Sequence, residues 1–95
     1  MPSFTTRVML RNPEGSEYDD LHEEMEKRGF SRTIAGSDGT SYELPQAEYD
    51  YTGNVTRTQV LDKAKAAAAA AAPSRRRAIL VTQSAGRAWI GLDEV

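Results

Sequence analysis

The sequence contains no cysteine, a single histidine and a single tryptophan in 95 residues. Without cysteine there is no disulfide framework and no thiolate metal site, which fits a reducing compartment. No window approaches the roughly 20 consecutive apolar residues of a membrane-spanning helix. The opening MPSFTTR has no basic stretch followed by an apolar one, so a cytoplasmic protein with no membrane association is expected. Also missing are a P-loop, a G-x-S-x-G elbow, an H-E-x-x-H helix and a dinucleotide fingerprint. Asp38-Gly39 lacks the remaining oxygen ligands of a calcium loop. Neither a cofactor nor a metal site is therefore expected.

Large apolar side chains are also scarce. Thirteen of the residues counted in the 39% hydrophobic fraction are alanine, which buries little area. A fully buried large side chain contributes about 1.5–3 kcal/mol, against about 1–2 kcal/mol of backbone entropy per ordered residue. A single domain over residues 1–95 with a thin core is expected, and association with a second copy would support it.

Neither sign of charge dominates the chain, whose net charge is −2, which argues against a uniformly basic nucleic-acid binder. The distribution is uneven. Residues 14–50 carry eleven acids and three bases, a net of −8, whereas residues 51–95 carry seven bases and three acids, a net of +4.

What is present reads as alternating elements. FTTRVML places Phe4, Thr6, Val8 and Leu10 on one face of a strand. Ser16 with Asp19 opens a helix carrying Tyr18, Leu21, His22 and Met25 on one stripe, and Gly29 suits its left-handed stop. FSRTIAG predicts a second strand, and SDG a hairpin loop. Tyr42 and Leu44 begin a third strand that Pro45 interrupts and AEYDY resumes. Thr56 with Gln59 forms a capping-box pattern at the head of a second helix, which runs through seven consecutive alanines to Pro73. RRRAILVTQ predicts a central strand, and AWIGL a short last one. The order β-α-β-β-α-β with an extra C-terminal strand predicts an α+β, ferredoxin-like antiparallel sheet with two helices on one face. A small α+β sandwich with a different strand order is the competing architecture.

Three groups of residues are candidates for chemistry. His22 alone has an unperturbed pKa near neutrality, and Asp19 and Glu26 lie one turn either side of it, so it is the candidate general acid–base. A histidine that simply flanks the apolar stripe is the commoner case. Glu17, Asp20, Glu23 and Glu24 form an acidic helix surface suited to a basic partner; strung along one helix, they diverge too much to hold a metal. Arg75, Arg76, Arg77 and Arg87 are the candidate phosphate-binding residues, although on a strand Arg76 points away from its two neighbours. Tyr42, Tyr49, Tyr51 and Trp89 are candidate stacking surfaces for single-stranded RNA, or else core packing.

Residues 29–51, GFSRTIAGSDGTSYELPQAEYDY, resemble the middle of a family of small proteobacterial and phage-borne proteins related to the type V toxin–antitoxin endoribonuclease antitoxin GhoS. The resemblance rests on Gly29-Phe30, Asp38-Gly39 and the Leu44, Pro45, Tyr49 pattern, about a quarter of the chain. It implies a ferredoxin-like fold akin to small CRISPR-associated nucleases, and cleavage of a toxin's mRNA. Those nucleases place an acid at the end of the first strand, where this chain has Arg11 and Asn12. The sequence points first to a non-catalytic regulator or inhibitor from a phage or accessory bacterial locus, binding a protein or RNA partner through its polarised surface. The alternative is an antitoxin-like endoribonuclease acting on single-stranded mRNA.

Overall fold

The computed structural model describes residues 1–95. The elements run β1 (Ser3–Leu10), α1 (Glu17–Lys27), β2 (Thr33–Ala35), β3 (Ser41–Glu43), β4 (Glu48–Thr52), α2 (Arg57–Ala71) and β5 (Arg77–Gln83). This is the expected α+β arrangement: two helices, and five strands in antiparallel sheets, compatible with a ferredoxin-like fold carrying an extra strand. No helix is long and apolar enough to cross a membrane.

The main sheet has the order β4-β1-β5. Phe4 faces Tyr51 on one side and Gln83 on the other, and Val8 faces Ile79. Residues directly opposite in an antiparallel pair share a face. Phe4, Thr6, Val8, Leu10, Tyr49, Ile79 and Val81 therefore form the inner face. The helices cover it with Leu21, Met25, Val60, Ala64, Ala67, Ala68 and Ala72, in one core cluster. Thr6 Oγ1 is the single buried side-chain polar atom without a partner, a cost of about 1–3 kcal/mol.

The polyalanine segment is helical and packed. Ala64, Ala67, Ala68 and Ala72 are fully buried, whereas Ala66, Ala69 and Ala70 face out. The predicted capping box is present: Thr56 Oγ1 accepts from the Gln59 amide, and Gln59 Oε1 accepts from the Thr56 amide. The box expected at α1 is not. Ser16 makes no side-chain cap, and Glu17 Oε1 instead accepts from the amide of Glu14. Gly29 follows the helix with φ of +91°, a conformation that strains residues bearing a Cβ.

Three strand predictions shift, whereas the interruption at Pro45 is present. The second strand joins β4 through a single bridge, Ser31 to Asp50, before β2 departs to pair with β3. Leu44 and Pro45 separate β3 from β4, because proline has no amide for a ladder. β5 is an edge strand rather than a central one, since β1 occupies the middle, and Leu80 on its outer face remains 64% exposed. The C-terminal addition lies beside β3 as a short pairing over residues 93–95, not over AWIGL. Tyr42 bridges Glu94, the Glu43 amide donates to Asp93 O and the Val95 amide to Ser41 O.

The buried and exposed alanines of α2 should respond oppositely to enlargement. Ala68→Leu should lower unfolding free energy by about 1–3 kcal/mol through overpacking, and Ala69→Leu should leave it within about 0.5 kcal/mol. Urea denaturation of the two variants measures both; equal effects would mean α2 is not docked as described.

Candidate functional site

His22, on the stripe of α1 between Leu21 and Met25, is partly buried and meets the edge of the Tyr49 ring at a centroid separation of 5.5 Å. Its Nδ1 lies 2.5 Å from Tyr49 Oη. Burial raises the Tyr49 pKa far above its ordinary value of 10.0, so the hydroxyl stays protonated and shares a hydrogen bond with Nδ1 whose donor is set by the imidazole tautomer. Burial, and then Arg32, depress the His22 pKa below 6.5, against the opposing pull of Asp19 and Glu26. The imidazole is thus held neutral, with one nitrogen engaged by a core tyrosine. This contact ties α1 to β4.

The acidic group divides in two. Glu17 Oε1 accepts from Arg75 Nε at 2.9 Å, and the Glu14 amide together with Arg75 holds its carboxyl below the ordinary range. Glu24 is held low by Arg28 and Lys27. Asp20 and Glu23 remain exposed, joined by Asp19 and Glu26. Glu23 has only a 3.7 Å contact with Lys27.

Of the four arginines, three are engaged within the fold. Arg75 bridges Glu14 and Glu17, fastening the start of β5 to the start of α1. Arg77 donates to Ala72 O and Arg75 O, capping the end of α2. Arg87 pairs with Asp50 and donates to Phe4 O, which clamps the C-terminal segment across the outer face of the sheet. Arg76 alone is exposed and unpaired.

Arg76 lies beside residues that sequence reasoning did not nominate for binding. The Arg11 amide donates to Arg76 O at 2.8 Å, which extends the β1–β5 ladder by one rung. Arg11, Asn12, Ser74, Arg75 and Arg76 line an all-polar cleft of about 310 Å³ at that end of the sheet. Only the register reveals this pairing, because Arg11 and Arg76 are 65 positions apart in the chain.

The aromatic candidates separate as well. Tyr49 is fully buried, and Tyr51 packs on Phe30 and Phe4. Tyr42 and Trp89, with ring centroids 5.6 Å apart, border a cleft of about 600 Å³ that also includes Asp38, Ser84 and Arg87. Here the nearest cation is already held by Asp50.

Neither a scan against protein-family models nor a search of curated proteins finds a match to this chain.

His22 should make folding stability pH-dependent. Below 6.5 the unfolded chain binds a proton that the folded imidazole resists. Its contribution is therefore fully present above 6.5 and is lost as pH falls toward the depressed folded value. Glu17 and Glu24, also lowered, act only below the ordinary carboxylate value of 4.5. Urea unfolding near pH 7 and at about pH 5.5 should show a loss of stability that His22→Gln removes; identical losses in both proteins would exclude this role.

Proposed function

We propose that this chain is a small non-catalytic binding module, acting as a regulator or inhibitor, whose acidic α1 surface captures a basic segment of a protein partner. The carrying observation is how the ionic groups divide. Glu17, Glu24, Arg28, Arg75 and Arg87 are paired within the fold, whereas Asp19, Asp20, Glu23 and Glu26 project from α1 with little compensation. Exposed charges of one sign on a rigid helix raise encounter rates with an oppositely charged partner and weaken with salt. The neutral, tyrosine-bound state of His22 also favours a structural over a catalytic role for this residue.

The free edge of β5, with Leu80 exposed at its middle, is the surface we assign to homodimerisation, since an unpaired strand edge is a template for a second strand. A monomeric mass by sedimentation at high concentration would remove that element and leave the α1 reading intact.

An endoribonuclease acting on single-stranded mRNA is the second reading. It is favoured by the resemblance of residues 29–51 and by the exposed Arg11 and Arg76 pair. Cleavage of labelled RNA by the purified chain, abolished by His22→Ala, would replace the binding-module reading with this one.

The α1 surface is tested by fluorescence anisotropy with a labelled lysine- and arginine-rich peptide. Charge reversal is confined to Asp20→Lys and Glu23→Lys, because Glu17 ties α1 to Arg75 and Glu24 pairs with Lys27 and Arg28 on the same helix. The double variant should weaken binding about tenfold or more at low salt, and added salt should weaken the wild type. Absence of binding, or equal binding by the variant, refutes the proposal.

A further inference from the structure

We infer that the cleft at the end of the β1–β5 ladder is a binding site for a phosphate group, held chiefly by Arg11 and Arg76. The inference is independent of the acidic surface of α1. Arg7 faces Leu80 and Met9 faces Ala78, so the next rung sets Arg11 opposite Arg76, and the 2.8 Å bond from the Arg11 amide to Arg76 O makes that rung real. Directly opposite residues in an antiparallel ladder carry their side chains on one face, with Cβ atoms about 5 Å apart, and like charges there repel.

Nothing in the fold relieves that repulsion. The ion pairs of the molecule use Lys27, Arg28, Arg75 and Arg87 as cations, and neither Arg11 nor Arg76 takes part in any of them. Glu14 and Glu17 pair with Arg75, which also lines the cleft, and no acid lines it. Two exposed guanidinium groups on facing positions suit a tetrahedral oxyanion. It would accept charge-assisted hydrogen bonds from both and convert the repulsion into a clamp. Asn12 and Ser74 supply further neutral donors to the same cleft, and no apolar residue lines it. Asn12 holds a φ of +50°, which asparagine tolerates better than other side chains. The size of the cleft, about 310 Å³, accommodates a phosphate with its water.

The phosphate can be a free ion or a unit of a single-stranded RNA backbone, and the test separates them. Isothermal titration of the full chain is run with inorganic phosphate and with a short single-stranded oligoribonucleotide. Both Arg76→Gln and Arg11→Gln should weaken binding about tenfold, as expected for losing hydrogen bonds to a charged ligand. For the oligonucleotide each should also lower the salt slope by about 0.7. Arg57→Gln, which removes the same charge from the exposed first turn of α2, should leave binding unchanged. Much tighter binding of the oligonucleotide identifies a nucleic-acid backbone, and comparable binding identifies free phosphate. In buffer without phosphate, Arg76→Gln should unfold at the same or a slightly higher temperature than wild type, which distinguishes a ligand site from a structural role. Absence of binding by both probes, or equal weakening by Arg57→Gln, would overturn the inference.

Discussion

Burial of one face of β1 is the constraint on which the remaining structure depends. Phe4, Thr6, Val8 and Leu10 lie beneath the helices, and the strand's two edges are occupied by β4 and β5. A strand in that position has no freedom of register, because a slip by one residue would turn Arg7 and Met9 inward and expose the apolar row. Every other placement is referred to it. Tyr49 and Tyr51 come inward opposite Thr6 and Phe4, Ile79 and Val81 opposite Val8 and Thr6, and Arg11 meets Arg76 beyond the last rung.

A core with so few large side chains closes because α2 can approach closely. Three of its alanines, and Ala72 at its C-cap, are completely buried, and alanine combines the highest helix propensity with the smallest obstruction to a neighbouring backbone. Directional contacts add to the limited apolar burial. Thr56 and Gln59 cap the start of α2, Arg77 caps its end, Arg75 ties β5 to α1, and His22 ties α1 to Tyr49. Much of the polar side-chain inventory that looks functional in the sequence is thus engaged in holding thinly packed layers together.

Such engagement explains why the fold was more legible than the site. Both helices, β1 and β5 follow from local periodicity and caps, which depend on neighbours within a few residues. The placement of β5 at an edge did not, since an apolar run of RAILVTQ composition fits either position. Nor did the failure of Ser16 to cap α1, where the Glu17 carboxylate takes the Glu14 amide instead. Among the arginines, Arg75, Arg77 and Arg87 found partners on distant elements, and the exposed Arg76 was paired across the ladder with a residue from the opposite end of the chain.

By itself the sequence determined the α+β class, the two helices with their polarity of charge, and the inner row of β1, because each is written in spacing over a turn or a few strand residues. Only the tertiary structure decided which charges remain available to a partner. That outcome depends on which side chains meet across β1, and such meetings are set by strand order and register rather than by local pattern.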